Sequence, residues 1–150
     1  MTTNEALIRH NFMSKVILKS GEKELSKSLK VKVMQIRIKL AKIRKEFDED
    51  VQEALKGFTP EGYNEIAQKV NKTEEDTKKL EDWNKQIQED YNEFVIKRGQ
   101  DEVVLDTKLT EDEYNEILEV NAANDVEING QELNAADFLE ILYTLFVEED

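Results

Sequence analysis

Five apolar residues, Val33, Ile36, Leu40, Ile43 and Phe47, recur in alternating steps of three and four. That spacing lines one side of an α-helix, so the chain must build a long amphipathic helix and cover its seam. After Phe47 the apolar set runs on through Val51 and Leu55, so the stripe drifts around the helix, and Gly57 is the expected stop. Leu80, Trp83, Ile87, Tyr91 and Phe94 mark a second seam. It closes at Lys97-Arg98-Gly99, where cations meet the helix C-terminal dipole and glycine is expected as a left-handed cap. Two such helices joined by a short connection pack antiparallel. Stretches 29–56 and 73–98 are therefore expected to zip into a long hairpin, in a mainly α fold.

Composition agrees. Charged residues make up 37% of the 150 and hydrophobic residues 39%, with 7% aromatic, which suits exposed helices better than a sandwich or barrel. One proline and five glycines leave few helix breakers. The length fits one domain. Without cysteine there can be no disulfide, thiolate nucleophile or cysteine-ligated zinc, and a reducing compartment is expected. No apolar run nears the roughly 20 residues that span a bilayer, and Met1 to Asn11 lacks the pattern of a secretory signal. The expected location is the cytoplasm of the cell that makes it, without secretion.

Within that single domain three regions are expected: an N-terminal arm (1–14), a strand plus the helical hairpin (15–100), and an acidic α+β subdomain (101–150) packed on the hairpin. The arm shows faint periodicity and reads as a segment or short helix that orders on a partner. Lys15 to Lys19 is apolar and β-branched before Ser20-Gly21, as in a strand and turn. Thr59-Pro60-Glu61 reads as a helix start, with Thr59 as N-cap. Thr73 to Asp76 is either a fresh cap or an exposed turn of one continuous helix. Val103 to Leu105 is a strand candidate, Thr110-Glu111-Asp112-Glu113 is a capping box, and Asp125 to Ile128 is a strand ending in the Asn129-Gly130 turn. Asn134 caps a last helix, apolar nearly all round, from Phe138 to Val147.

The net charge of −13 is unevenly spread. Residues 1–58 carry thirteen Lys and Arg against eight Asp and Glu, whereas residues 101–150 carry one against sixteen. In heptad terms Lys30, Arg37 and Arg44 fall at e and Lys32 and Lys39 at g, flanking the first seam, so an acidic partner is expected on that side. The acidic third is the obvious candidate, in the same chain or in a neighbouring copy, where head-to-tail docking would generate a ring or filament. The competing reading is a solvated charged face with no partner. Phe138, Leu142 and Phe146 on the last helix are candidate docking residues, against the alternative that they close the domain's own core.

Chemistry finds little footing. His10 is the only histidine, which rules out a histidine pair, and it lies in the arm, apart from any catalytic constellation. Carboxylates are too abundant to single out an acid–base pair. Asp125, Glu127, Asn129 and Gly130 imitate a calcium loop, but Glu132 stands where an apolar residue belongs and Ala136 where a bidentate glutamate belongs. The basic stretch interleaves aliphatic rather than aromatic residues, so nucleic acid is not the expected partner. No enzyme activity, cofactor or small-molecule substrate is expected.

The order of parts, KVILKSG, then SLKVKVMQIRIKLAKIRKEF, a charged return helix and a tail ending DFLEILYTLFVEED, resembles small uncharacterised proteins encoded by tailed bacteriophages. That resemblance implies a phage accessory or virion protein whose partners are other virion subunits or copies of itself. An acidic phosphate mimic that binds a basic host or defence protein is the alternative.

Overall fold

Thr2 opens the first helix by accepting the backbone N–H of Glu5, and the chain from there is mainly helical. The computed structural model describes residues 1–148. The elements run α1 (Thr3–Met13), β1 (Lys19–Ser20), β2 (Lys23–Glu24), α2 (Lys27–Phe58), α3 (Tyr63–Ala67), α4 (Glu74–Gly99), α5 (Glu111–Asn121), β3 (Val126–Ile128), β4 (Gln131–Leu133) and α6 (Ala135–Phe146). The described residues form two compact units, residues 1–44 with 102–148 and residues 45–101.

In the first unit the N-terminal residues form a short helix, α1, which packs within its own chain. Ala6 and Met13 are fully buried, and Phe12 stacks on Phe138 of α6 with ring centroids 6.0 Å apart. Its inner face was hard to recognise because Thr3, Ala6 and Arg9 are small or polar, while Ile8 points to solvent. Lys15 to Leu18 forms no strand: the Lys15 and Val16 N–H groups turn back to the Phe12 and Met13 carbonyls, and the hairpin starts at Lys19. A side chain holds the middle of the segment. Asn121, fully buried, accepts the Ile17 N–H at 2.9 Å and donates to the Ile17 carbonyl at 3.1 Å. Leu29, Val33, Ile36 and Leu40 of α2 join Leu109, Ile117, Phe138, Leu142 and Phe146 in one core.

The acidic part follows expectation at its caps. Thr110 and Glu113 form a capping box on α5, and Asn134 accepts the Asp137 N–H on α6. Strands β3 and β4 pair antiparallel around Asn129-Gly130, both with positive φ, the turn that suits the twist of a two-residue hairpin. Val103 to Leu105 is not a strand: the one bridge lies just before it, Glu102 with Thr2, Val103 exchanges backbone hydrogen bonds with Met1, and Val104 is fully exposed.

The second unit contains the antiparallel hairpin, built from the far half of α2. Asp50 meets Arg98 at 3.0 Å, Phe58 meets Phe94 edge-on, and beyond the turn Tyr63 meets Trp83. The expected pairing of the whole 29–56 stretch with 73–98 is thereby corrected: the near half of the seam is covered by the core of the first unit. Helix α2 runs through Gly57 to Phe58. Thr59 does not cap a helix, because its hydroxyl donates back to the Leu55 carbonyl, and α3 starts only after Gly62 in the left-handed region. Thr73 and Asp76 close a capping box, so α4 is a separate helix. Gly99 is its last helical residue rather than a left-handed cap.

Candidate protein-contact surfaces

The basic residues flanking the first seam have separate fates. Lys32 reaches Glu113 of the acidic third at 2.7 Å, an ion pair within the chain. Burial pushes the Glu113 carboxyl up, but the bonds from Lys32 and Thr110 outweigh it and hold it below the ordinary carboxylate range. Lys30 pairs with Glu24 of β2, which that contact likewise holds low. Arg37 takes no carboxylate. It donates to the Met13 carbonyl at 3.1 Å and to the Val16 carbonyl, capping the last turn of α1, and burial lowers its pKa. Arg44 donates to Asn11 Oδ1 at 3.0 Å, and Lys39 is exposed. The five thus serve three ends: two ion pairs within the unit, two supports for the α1 region, and one solvent-facing cation.

Phe138, Leu142 and Phe146 are each 0% exposed, so they lie in the core and offer no docking face. The physical reason is a second layer on α6. Helix α1 packs over it, and Arg9 donates to the Leu145 carbonyl in its last turn at 3.2 Å.

The surfaces that remain open lie elsewhere. On α2, Val31, Met34 and Ile38 are 46%, 50% and 67% exposed, on the side opposite the buried seam. Lys27 and Lys42 flank them and are exposed too. Sequence reasoning passed this stripe over because the stronger seam explained the helix, although Val31, Met34 and Ile38 themselves recur at i, i+3 and i+7. The second surface is a groove of about 630 Å³ between α5 and α6. Leu118, Leu139, Ala122 and Ala136 contribute apolar lining, and Glu140 and Glu148 are acidic. Tyr114 and Tyr143 meet edge-on beside it, with Tyr143 donating to Glu111 at 2.8 Å, a bond that raises the phenol's pKa.

Known protein families, curated proteins and solved structures include no match to this chain.

Among the described residues, no group of three or more His, Asp or Glu side chains is disposed to hold a metal ion. No helix among them is long and apolar enough to cross a membrane. On β3 and β4, Glu127 and Glu132 are paired directly across the hairpin, both exposed. Like charges so placed are unfavourable to the pairing and favour a cationic neighbour.

Proposed function

We propose that this chain is a non-enzymatic structural or assembly protein acting through contacts with other proteins. The observation that carries the reading is that α2 is apolar on two sides: Leu29, Val33, Ile36 and Leu40 enter the core while Val31, Met34 and Ile38 stand in water. Apolar side chains left open along one face of a helix and bordered by lysines offer an interaction surface. The resemblance to small phage proteins supports a virion or assembly complex as the setting.

The test is copurification of the full chain with assembled particles, compared with a Met34→Glu, Ile38→Glu variant. The expected outcome is that the variant keeps its helical circular dichroism and loses the particles. Unchanged copurification would sink the role given to α2.

A second reading has its own support, the absence of any Lys or Arg from residue 109 to residue 148. An acidic phosphate mimic would remain monomeric and compete with DNA for a basic protein in a salt-sensitive way. Its binding would survive the α2 substitutions and fail when exposed carboxylates such as Glu119, Glu127 and Glu132 become glutamines.

A further inference from the structure

The open strip of α2 and the α5–α6 groove are alike in their apolar content and opposite in charge. Residues 27–44 hold no Asp or Glu, and of their cations Lys27, Lys39 and Lys42 stand exposed, whereas residues 109–148 hold no Lys or Arg and expose Glu119, Glu140 and Glu148 among their carboxylates. Lys27 and Lys42 border the strip, and Glu140 and Glu148 line the groove. Leu118 lies 39% exposed in that groove, and Ala122 and Ala136 beside it are small enough to admit incoming side chains. Met34 is well suited to enter, because an unbranched thioether adapts to an irregular surface.

Both surfaces belong to the same compact unit and share no residue. Within one copy the strip faces away from the seam that meets the core and stands exposed. We infer that the strip of one copy docks in the α5–α6 groove of a second copy, head to tail. The complementary potentials select this register over strip against strip, which would set lysines against lysines. A contact between two different patches leaves one of each free at the ends, so it extends into a ring or a filament. The inference rests on the protein-contact reading above and names its partner.

The test uses two full-length variants altered only at exposed positions: Met34→Glu with Ile38→Glu on the strip, and Leu118→Lys with Glu140→Lys in the groove. Sedimentation velocity of the wild type should reveal species that grow past a dimer with concentration. Each variant alone should associate about tenfold or more weakly. Mixed in equal amounts, the two should form a one-to-one dimer and stop there, since a single intact pair of surfaces remains. If either double variant loses its helical signal, Lys42→Glu and Glu140→Lys provide the same mixing test. A wild type monomeric at every concentration overturns the inference, as does a groove variant that dimerises like the wild type. A monomeric wild type that copurifies with particles through Met34 and Ile38 overturns self-docking alone. A monomeric chain that copurifies with nothing overturns the protein-contact reading as well.

Discussion

One helix serves two regions of this molecule, and its seam is treated differently in each. In residues 1–44 and 102–148, α2 lies in a core where Phe138, Leu142 and Phe146 are completely enclosed. Among the described residues of 45–101, only Phe47, Val51 and Gly99 are buried, and Leu80, Trp83, Ile87, Tyr91 and Phe94 stay half-buried. The helix stays amphipathic on both sides of residue 44, with alternating steps of three and four up to Phe47 and steps of four through Val51 and Leu55. The number of covering layers differs. Helices α1, α5 and α6 supply several layers to the first region, whereas a hairpin wraps each seam on one side only. The second region accordingly relies on edge contacts: Phe58 against Phe94, Lys79 4.8 Å from the Trp83 ring centre, and Arg98 over Phe47.

The strongest way to break this contrast is to remove one large ring from each region. Phe138→Ala leaves a cavity in an enclosed core and should cost about 3–5 kcal/mol, whereas Trp83→Ala removes a half-buried ring and should cost about half as much. Chemical denaturation followed by circular dichroism, with hydrogen exchange to locate the loss, measures both. Equal costs would mean the two regions are packed alike.

Next in size is Asn121→Ala. It leaves the partly buried backbone N–H and carbonyl of Ile17 without their side-chain partner and should cost about 1–3 kcal/mol. Hydrogen exchange at Ile17 should accelerate; unaltered protection there would show that something else holds the segment. Smaller still, Thr73→Ala and Thr110→Ala each remove a capping box and should cost about 1 kcal/mol. The comparison sharpens if Thr73→Ala frays α4 more than Thr110→Ala frays α5, because α5 is anchored by buried Tyr114, Ile117 and Val120.

The smallest effect concerns the Lys32–Glu113 pair. Glu113 titrates lower when folded than its ordinary value of 4.5. Its contribution is therefore complete above that value and disappears as pH falls through the folded pKa. With both partners partly exposed, the amount is at most about 1 kcal/mol. Lys32→Met should flatten the acid limb of the stability profile by that amount, and an unchanged limb would mean the pair contributes nothing.

What could be read in advance depended on how local the physics was. The capping box at Thr110, the Asn134 cap and the Asn129-Gly130 turn each involve neighbours within three or four positions and were recognisable from residue type alone, whereas residue type at Thr73 left a fresh cap and a continuous helix both open. Thr59 had the right type and the wrong geometry, since its hydroxyl turned back to Leu55. Arg37 likewise had the composition of an ion-pair partner and became a helix cap, because the carbonyls it meets belong to residues more than twenty positions away. The open strip on α2 was present as a pattern, but periodicity alone gave no way to rank two apolar faces of one helix.

The sequence by itself determined that two long amphipathic stretches would be helices, where several helices would start, and that cations and carboxylates would gather at opposite ends of the chain. These follow from side-chain spacing and from hydrogen bonds a few residues long. Only the tertiary structure decided which seam met which cover: that Phe138 would be sealed with Phe12 of α1 stacked on it, that α2 would be shared between two regions, and that Val31, Met34 and Ile38 would be left outside. Burial is non-directional and rewards any apolar neighbour, so the choice among covers rests on how every element packs at once.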